Sequence, residues 1–340
     1  MDITNLKYCP GTLVKGNTTY SNTCLRKVFN GKKVTHILSY NTPQNSEEIN
    51  QLFIENRKRI SISGVQEKLS LMLEKNVLRL TKPTEQGMYI LKPIPRDLLK
   101  VNQVPANEHV TMQIAKQVYK INTAENALIF FKDGFPAYIT KRFDVKKDGT
   151  KLGKEDFASL GGKTTENAGA NFKYEYSYEE IALLIKKYVQ PYSVEIEKFF
   201  SICVFNYLFS NGDAHLKNFA LLETDKGDYL LSPFYDLLNT HIHANDTAMA
   251  LEEGLFANNY ETESFKINGF YAYDDFYEFA LKIGIKKSRA IKILQKYCAV
   301  NPMVEELVKH SFLSEETQKI YVDLYHERLK ALNYSYSKKL

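Results

Sequence analysis

The sequence has no apolar run long enough to cross a lipid bilayer as a helix, which takes about 20 residues. Its longest nearly apolar run, FFSICVFNYLF, covers residues 199–209 and predicts a buried core helix. The N-terminal stretch MDITNLKYCPGTL lacks the basic segment, apolar run and small-residue cleavage site of a secretory signal peptide. From these absences we expect a cytoplasmic protein with no membrane partner.

Cysteine is also scarce, and its spacing excludes two classes of small scaffold. The four cysteines form no CxxC pair and no paired histidine spacing, so neither a zinc site nor a disulfide framework is indicated. The net charge of +5 is well below that of a dense Lys/Arg face, so we expect no direct binding of nucleic acid. There is no repeat of 20 to 50 residues and no low-complexity tract.

What is present is an ordinary globular composition in a chain of moderate length. The 340 residues are 44% apolar and 25% charged, which is enough for two domains or two lobes with separate cores. Residues 1–55 mix short apolar pieces with turn formers and give the weakest pattern. The rest of the chain divides into two parts with different periodicity.

The first part is rich in strands. Alternating runs start at residues 69, 77, 88 and 126, and the step Asp133-Gly134 between two β-rich runs predicts a hairpin. One helix interrupts them: NEHVTMQIAKQVYK, residues 107–120, carries an apolar stripe at helical spacing, and Asn107 is its predicted N-cap. This part therefore predicts a sheet with a single helix.

The second part, after about residue 146, is mainly helical. Helical periodicity is found in segments beginning near residues 178, 194, 273, 288 and 314. We therefore predict an α+β fold with a strand-rich N-terminal lobe, residues 1–145, and a larger helical C-terminal lobe, residues 146–340. A cleft between the lobes is the expected place for a site.

The densest group of polar residues lies in FSNGDAHLKNFALL, residues 209–222. Asp213 and Asn218 are five positions apart, the interval found in the kinase catalytic loop. An aspartate can accept the proton of an attacking hydroxyl, and an asparagine oxygen can hold Mg²⁺. The alternative is a polar turn, because Asn-Gly-Asp is a common turn sequence.

Other residues fit the same chemistry in chain order. Asp236 follows a short apolar strand and could supply a second magnesium ligand. Lys92, in YILKP, could bind nucleotide phosphates, with Glu108 holding it; the alternatives are an exposed edge lysine and a first-turn helix charge. The sequence GGKT, residues 161–164, lacks the first glycine of a phosphate-binding loop. EDFAS, residues 155–159, precedes Asp213 and lacks the glycine of Asp-Phe-Gly, so we exclude both.

Together these motifs resemble the HipA-type serine/threonine kinases of bacterial toxin–antitoxin systems. The resemblance covers residues 55–240 and rests on SISGVQEK at 61–68, YILKP at 89–93, NEH at 107–109, TKRFD at 140–144, NGDAHLKNF at 211–219 and SPFYDLL at 232–238. It implies a two-lobed fold related to protein kinases, with ATP and Mg²⁺ as cofactors. It also implies a phosphorylated target of the aminoacyl-tRNA synthetase class.

The resemblance also implies a role for individual residues. Asp213 would be the catalytic base, and Asn218 and Asp236 would be the metal ligands. Autophosphorylation would fall on Ser61 or Ser63. The implied nucleotide contacts are Ser63, Gly64, Val65, Gln66, Glu67 and Lys68 in a phosphate loop, Lys92, the backbone of Lys141, Arg142 and Phe143 at the adenine, and His215, Lys217, Asn218, Tyr235 and Asp236.

The short segment before the serine loop resembles the HipT branch of the family. Longer members carry an additional N-terminal subdomain of roughly 100 residues there, whereas about sixty residues precede the loop in this sequence. In the HipT branch a separate small protein supplies that subdomain, and a DNA-binding antitoxin completes the complex. Both are therefore implied as partners.

Two other functional hypotheses remain. The chain could be a catalytically silent kinase-fold scaffold that binds a DNA-binding antitoxin or repressor, although all expected polar residues are present. It could also be a small-molecule kinase. Those enzymes usually place a histidine before the catalytic aspartate, whereas His215 follows Asp213.

Overall fold

A computed structural model describes residues 2–42, 67–96 and 98–337. The chain forms two compact units, each built from several segments. The first comprises Met1–Ile114, Thr123–Lys151 and Met303–Gln318, and the second Ala115–Asn122, Leu152–Pro302 and Lys319–Leu340. The lobe boundary after residue 145 stays a prediction. No helix among the described residues has both the length and the apolar character needed to cross a membrane.

The first unit is organised around a five-stranded antiparallel sheet. Its strand order is β2-β1-β3-β5-β4, with bounds β1 Leu69–Glu74, β2 Val77–Leu80, β3 Tyr89–Lys92, β4 Asn126–Phe130 and β5 Pro136–Lys141. The Asp133-Gly134 step joins β4 to β5 as predicted, and Gly134 has a φ of +89°, which glycine adopts without strain. Leu71, Leu91 and Ile139 point into a shared apolar core.

Two helices accompany this sheet. Helix α1, Asn22–Val28, is capped by the Ser21 side chain, which accepts a hydrogen bond from the backbone N–H of Cys24. Helix α2, Val104–Gln117, begins three residues before Asn107. The predicted N-cap is therefore wrong: Asn107 lies inside the helix, is fully buried and accepts a hydrogen bond from Thr111 Oγ1 at 3.2 Å.

The second unit combines helices with a small antiparallel sheet. The sheet has the order β6-β7-β8, with β6 Lys154–Asp156, β7 Ala220–Glu223 and β8 Tyr229–Leu231. The helices that follow β6 are α3 Phe157–Leu160, α4 Thr165–Ala168, α5 Tyr178–Tyr188, α6 Tyr192–Leu208, α7 Glu263–Asn268, α8 Tyr273–Lys282, α9 Lys287–Cys298, α10 Pro302–His310 and α11 Glu315–Asn333. Parts of α10 and α11 belong to the first unit.

Helix α6 is the centre of the second unit. It contains the apolar run predicted to be a core helix, and from Phe199 to Leu208 every side chain except Ser201 is buried. Phe205 and Phe209 pack with ring centroids 4.5 Å apart. The polar loop predicted to carry chemistry leaves the C-terminal end of this buried helix and leads directly into β7.

Candidate active site

The loop that joins α6 to β7, residues 209–219, is fixed by the segment around Thr240. Thr240 Oγ1 accepts the backbone N–H of Gly212 at 2.7 Å, and the Thr240 N–H donates to the carbonyl of Ser210 at 3.0 Å. A Cβ on Gly212 would lie 2.4 Å from the carbonyl oxygen of Thr247 and 2.7 Å from the side chain of Asp246. The close backbone approach therefore requires glycine at this position.

Asp213 presents its carboxylate at the surface of this loop. Its side chain is 48% exposed, and its Oδ1 accepts a hydrogen bond of 2.7 Å from the hydroxyl of Tyr174. His215 Nε2 lies 4.0 Å from the same oxygen, beyond hydrogen-bond distance. A carboxylate held on one side and accessible on the other is suited to accept a proton from a bound hydroxyl.

His215 is neutral and buried beside this carboxylate. Burial lowers the pKa of its imidazole to about 4, although the nearby Asp213 opposes the shift. Its Nδ1 has no hydrogen-bond partner among the described residues, and its ring meets the Tyr174 ring edge to face, with centroids 5.3 Å apart. Near neutral pH His215 therefore contributes a polar, uncharged ring to the site.

Asn218 and Asp236, the two predicted metal ligands, are brought together. Asn218 Nδ2 lies 3.4 Å from Asp236 Oδ2, and Asn218 Oδ1 accepts the backbone N–H of His215 at 3.1 Å. Asp236 has a φ of +57°, a left-handed conformation that costs a non-glycine residue energy and is common at functional sites. Asp236 therefore lies beside the Asn218 amide with its backbone in the left-handed region.

The chemistry of this pair fits Mg²⁺. Carboxylate and amide oxygens are hard ligands, and Mg²⁺ usually takes only one or two protein groups, with phosphate and water oxygens completing its octahedron. The described residues contain no cluster of three or more His, Cys, Asp or Glu side chains that could hold a metal ion by itself. A magnesium ion at Asn218 and Asp236 would need further oxygen ligands, which nucleotide phosphates and water could supply.

Lys217 forms an ion pair with Asp156. Asp156 lies in EDFAS, the sequence that we excluded as a counterpart of Asp-Phe-Gly. Lys217 Nζ donates to Asp156 Oδ2 at 2.8 Å. Burial raises the pKa of Asp156, but the hydrogen bonds from Lys217 and from the Ser159 backbone outweigh it, so the pKa is lowered overall. Tyr235, another predicted nucleotide contact, donates its hydroxyl to the carbonyl of Lys217 at 2.9 Å.

The first unit contains the predicted nucleotide lysine. Lys92, the last residue of β3, and Glu108, on α2, form an ion pair with Nζ 2.7 Å from Oε1. Their side chains are 4% and 1% exposed. The alternative interpretations, an exposed edge lysine and a first-turn charge, do not hold, because the lysine is buried and Glu108 is the fifth residue of its helix.

The segment predicted to contact adenine begins at Lys141, the last residue of β5. The backbone N–H of Lys141 donates to Glu125 and that of Arg142 to Met88, at 2.8 and 2.9 Å. Arg142 also forms a two-pronged pair with Asp144, at 2.9 and 2.6 Å, while Phe143 is half-buried. The N–H groups of Lys141 and Arg142 are therefore both bonded within the first unit.

The predicted phosphate loop lies mostly outside the described residues. Five of the predicted site residues are not among the described residues: Ser61, Ser63, Gly64, Val65 and Gln66. Glu67 and Lys68 are described and half-buried, and Glu67 Oε1 lies 3.5 Å from Arg96 Nη2.

Sequence reasoning missed two residues of the site, Tyr174 and Asp156. Tyr174 lies 39 positions before its partner Asp213, in the tyrosine-rich segment NFKYEYSYEE, which gives no local sign of a partner. Asp156 had a detectable signal, because aspartate is one of the residues preferred at a helix N-cap. It does cap α3, through the backbone N–H of Ser159.

Known proteins are similar to this chain over much of its length. Residues 60–304 match the model of the HipA-like C-terminal domain. A Haemophilus influenzae protein named "Putative kinase" is 29% identical over 296 residues, covering 82% of this chain and 83% of that protein. The "Serine/threonine-protein kinase toxin HipA" of Shewanella oneidensis is 24% identical over 223 residues, which are 60% of this chain and 49% of that toxin.

Solved structures show the same fold. The Shewanella oneidensis HipA chain, solved with HipB and its operator DNA, superposes with a TM-score of 0.59 at 21% identity, covering 80% of this chain and 63% of that one. The Helicobacter pylori proinflammatory kinase CtkA gives a TM-score of 0.50 at 16% identity, covering 77% and 93%. The fold is thus kinase-like, with a strand-rich and a helical part, and the chain belongs to the HipA-like C-terminal domain family.

Proposed function

We propose that this protein is an ATP-dependent serine/threonine protein kinase. The observation that carries the proposal is the arrangement of the 209–219 loop, which holds an accessible Asp213 and places Asn218 next to Asp236. The buried pair of Lys92 and Glu108 supports it, because kinases use a lysine held by a helical glutamate to bind nucleotide phosphates. The similarity to kinase-named relatives supports the same class.

In this proposal each residue has one task. Asp213 accepts the proton of the substrate hydroxyl, whose oxygen bonds to the γ-phosphorus of ATP while ADP leaves. Asn218 and Asp236 hold Mg²⁺, which when bound neutralises charge on the phosphates. Lys92 binds the phosphates as a point charge. His215, Lys217 and Tyr235 shape the nucleotide side of the loop, and the 141–143 backbone contacts the adenine.

The proposed substrates and partners come from the family. By analogy with the HipA toxin we propose a role as the toxin of a toxin–antitoxin system, with an aminoacyl-tRNA synthetase as protein substrate. The HipA structure solved with HipB and operator DNA supports a DNA-binding antitoxin as partner. We further propose autophosphorylation on Ser61 or Ser63, the phosphate loop of residues 63–68, and a separate small protein in place of the additional N-terminal subdomain of the HipT branch.

The test is phosphate transfer from labelled ATP. The purified chain, incubated with Mg²⁺, labelled ATP and a bacterial lysate, should label itself or a lysate protein, and Asp213→Asn should lose about 10² to 10⁴ in rate. Absence of any labelled protein with the wild-type chain would contradict the proposal. Absence of nucleotide binding together with tight binding of a repressor would favour a silent scaffold.

A further inference from the structure

The hydroxyl of Tyr174 is the hydrogen-bond donor that holds the Asp213 carboxylate. Its oxygen lies 2.7 Å from Asp213 Oδ1, the short distance expected when a hydroxyl donates to an ionised carboxylate. Among the described residues this is the one side-chain hydrogen bond to the Asp213 carboxylate. The nearest His215 ring nitrogen is 4.0 Å from Oδ1, which is beyond hydrogen-bond distance. One tyrosine therefore fixes the orientation of a half-exposed side chain.

The backbone around Tyr174 is itself fixed. The Tyr174 N–H donates to the carbonyl of Asn171 at 2.8 Å, and the Tyr174 carbonyl accepts the N–H of Glu252 at 2.9 Å. Two residues further on, the Tyr176 backbone has a φ of +80°, in the left-handed region. The backbone that carries Tyr174 is therefore constrained, which limits the positions that its hydroxyl can take.

Tyr174 remains a donor over the working pH range. Burial raises the pKa of its phenol above the ordinary value of 10, and the hydrogen bond to the negatively charged Asp213 raises it further. The phenol is thus protonated near neutral pH and keeps the hydrogen that it donates. The Tyr174 ring also packs edge to face on His215. Its hydroxyl and its ring therefore contact two residues of the same loop, Asp213 and His215.

We propose that Tyr174 is a positioning residue for the reaction of the proposed kinase. By occupying Oδ1 it turns Oδ2 of Asp213 outward as the oxygen that accepts the substrate proton. The proton then moves from the substrate hydroxyl to Oδ2, the substrate oxygen bonds to phosphorus, and the bond to ADP breaks. This inference rests on the proposed function, because it gives Tyr174 the task of orienting Asp213, the proposed catalytic base.

A positioning role predicts a specific kinetic signature. Small misplacement of a catalytic group lowers the rate of the chemical step without changing the contacts that bind the substrate. The variant Tyr174→Phe keeps the ring on His215 and loses only the hydroxyl. It should lower the maximal rate of phosphate transfer about 10- to 100-fold while leaving the ATP concentration at half-maximal rate within about twofold of wild type.

The control is Tyr176→Phe. Tyr176 lies in the same segment, but its hydroxyl donates to the backbone of Gly161 instead of to Asp213. The assay measures transfer of labelled phosphate to the chain itself and to lysate proteins over a range of ATP concentrations. Calorimetry with a non-hydrolysable ATP analogue and Mg²⁺ measures binding separately, and a melting temperature near that of wild type shows that each variant folds.

The outcomes separate the inference from the proposed function. A slow Tyr174→Phe with unchanged analogue binding, beside a Tyr176→Phe that keeps the wild-type rate, supports positioning. An active wild type, an inactive Asp213→Asn and a Tyr174→Phe within twofold of wild type would overturn the inference alone. Equal losses in the two tyrosine variants would also overturn it, by indicating a structural effect of the segment. A wild type without transfer would overturn both.

Discussion

Lys92 and Glu108 form an ion pair that is almost completely buried, with Nζ 2.7 Å from Oε1 and side chains 4% and 1% exposed. The Lys92 ammonium also lies over the Tyr138 ring, 5.4 Å from its centroid. Removing two charges from water has a large desolvation cost, and a pair in this position is stable only while both partners are present. The stability of the first unit should therefore depend strongly on substitutions that remove one partner of this pair.

We predict that Lys92→Met destabilises the protein by about 3 kcal/mol, because it leaves the Glu108 carboxylate buried without its cation. The double variant Lys92→Met/Glu108→Leu should recover much of this loss. Urea unfolding of the three proteins measures the difference. The control is Lys319→Met, which breaks an exposed pair with Asp323 and should leave the urea midpoint nearly unchanged. A Lys92→Met as stable as wild type would contradict the prediction.

A second prediction concerns pH and two buried histidines. Burial lowers the pKa of both His109 and His215 to about 4, whereas a histidine in the unfolded chain titrates near 6.5. Between these values the unfolded chain binds protons that the folded chain does not. Stability should therefore fall as pH drops from about 6.5 towards 4, and these groups should have no effect above that window.

Urea midpoints at pH 7 and pH 5 measure this effect. His109→Gln should reduce the loss of stability between the two pH values by on the order of 2 kcal/mol, since its amide does not titrate. His326→Gln, at an exposed position, should leave the loss unchanged. If His109→Gln has the same pH dependence as wild type, the imidazole is not held neutral by burial.

A third prediction concerns magnesium. We predict that Asp236 and Asn218 hold the ion beside nucleotide phosphates. Mg²⁺ should then raise the affinity for an ATP analogue, and Asp236→Asn should make this increase about tenfold smaller or more. Binding of the analogue without Mg²⁺ should change little. Calorimetry with and without Mg²⁺ measures both, and Asp225→Asn, in the exposed turn between β7 and β8, is the matched control. An unchanged magnesium effect would remove Asp236 from the metal site.

Local patterns in the sequence were sufficient for much of the fold. Strand alternation and the Asp133-Gly134 step predicted the main sheet, and helical periodicity predicted the long helices of the second unit. The start of α2 was wrong because a polar residue, Asn107, was preferred as cap. The helix begins instead at Val104 with Pro105 in its first turn, where the fixed φ of proline is favourable.

The site was predictable where its residues are close in sequence. Asp213 and Asn218 belong to one loop, so their spacing alone was enough to predict roles for them in catalysis and metal binding. The partners that fix the loop are distant: Tyr174 is 39 residues from Asp213, and Asp156 is 61 residues from Lys217. Such pairs depend on how the second unit packs, and no local pattern in a single sequence reports that packing.

We propose above all that Asp213 catalyses phosphate transfer from ATP to the chain itself, and the intact mass of the purified protein tests this most directly. Wild-type protein and Asp213→Asn would be expressed and incubated identically with ATP and Mg²⁺, and their masses compared. The proposed function predicts a gain of about one phosphate in the wild type alone. The same gain in both proteins would contradict Asp213 as the catalytic base, and a wild type without added phosphate would contradict phosphate transfer to the chain itself.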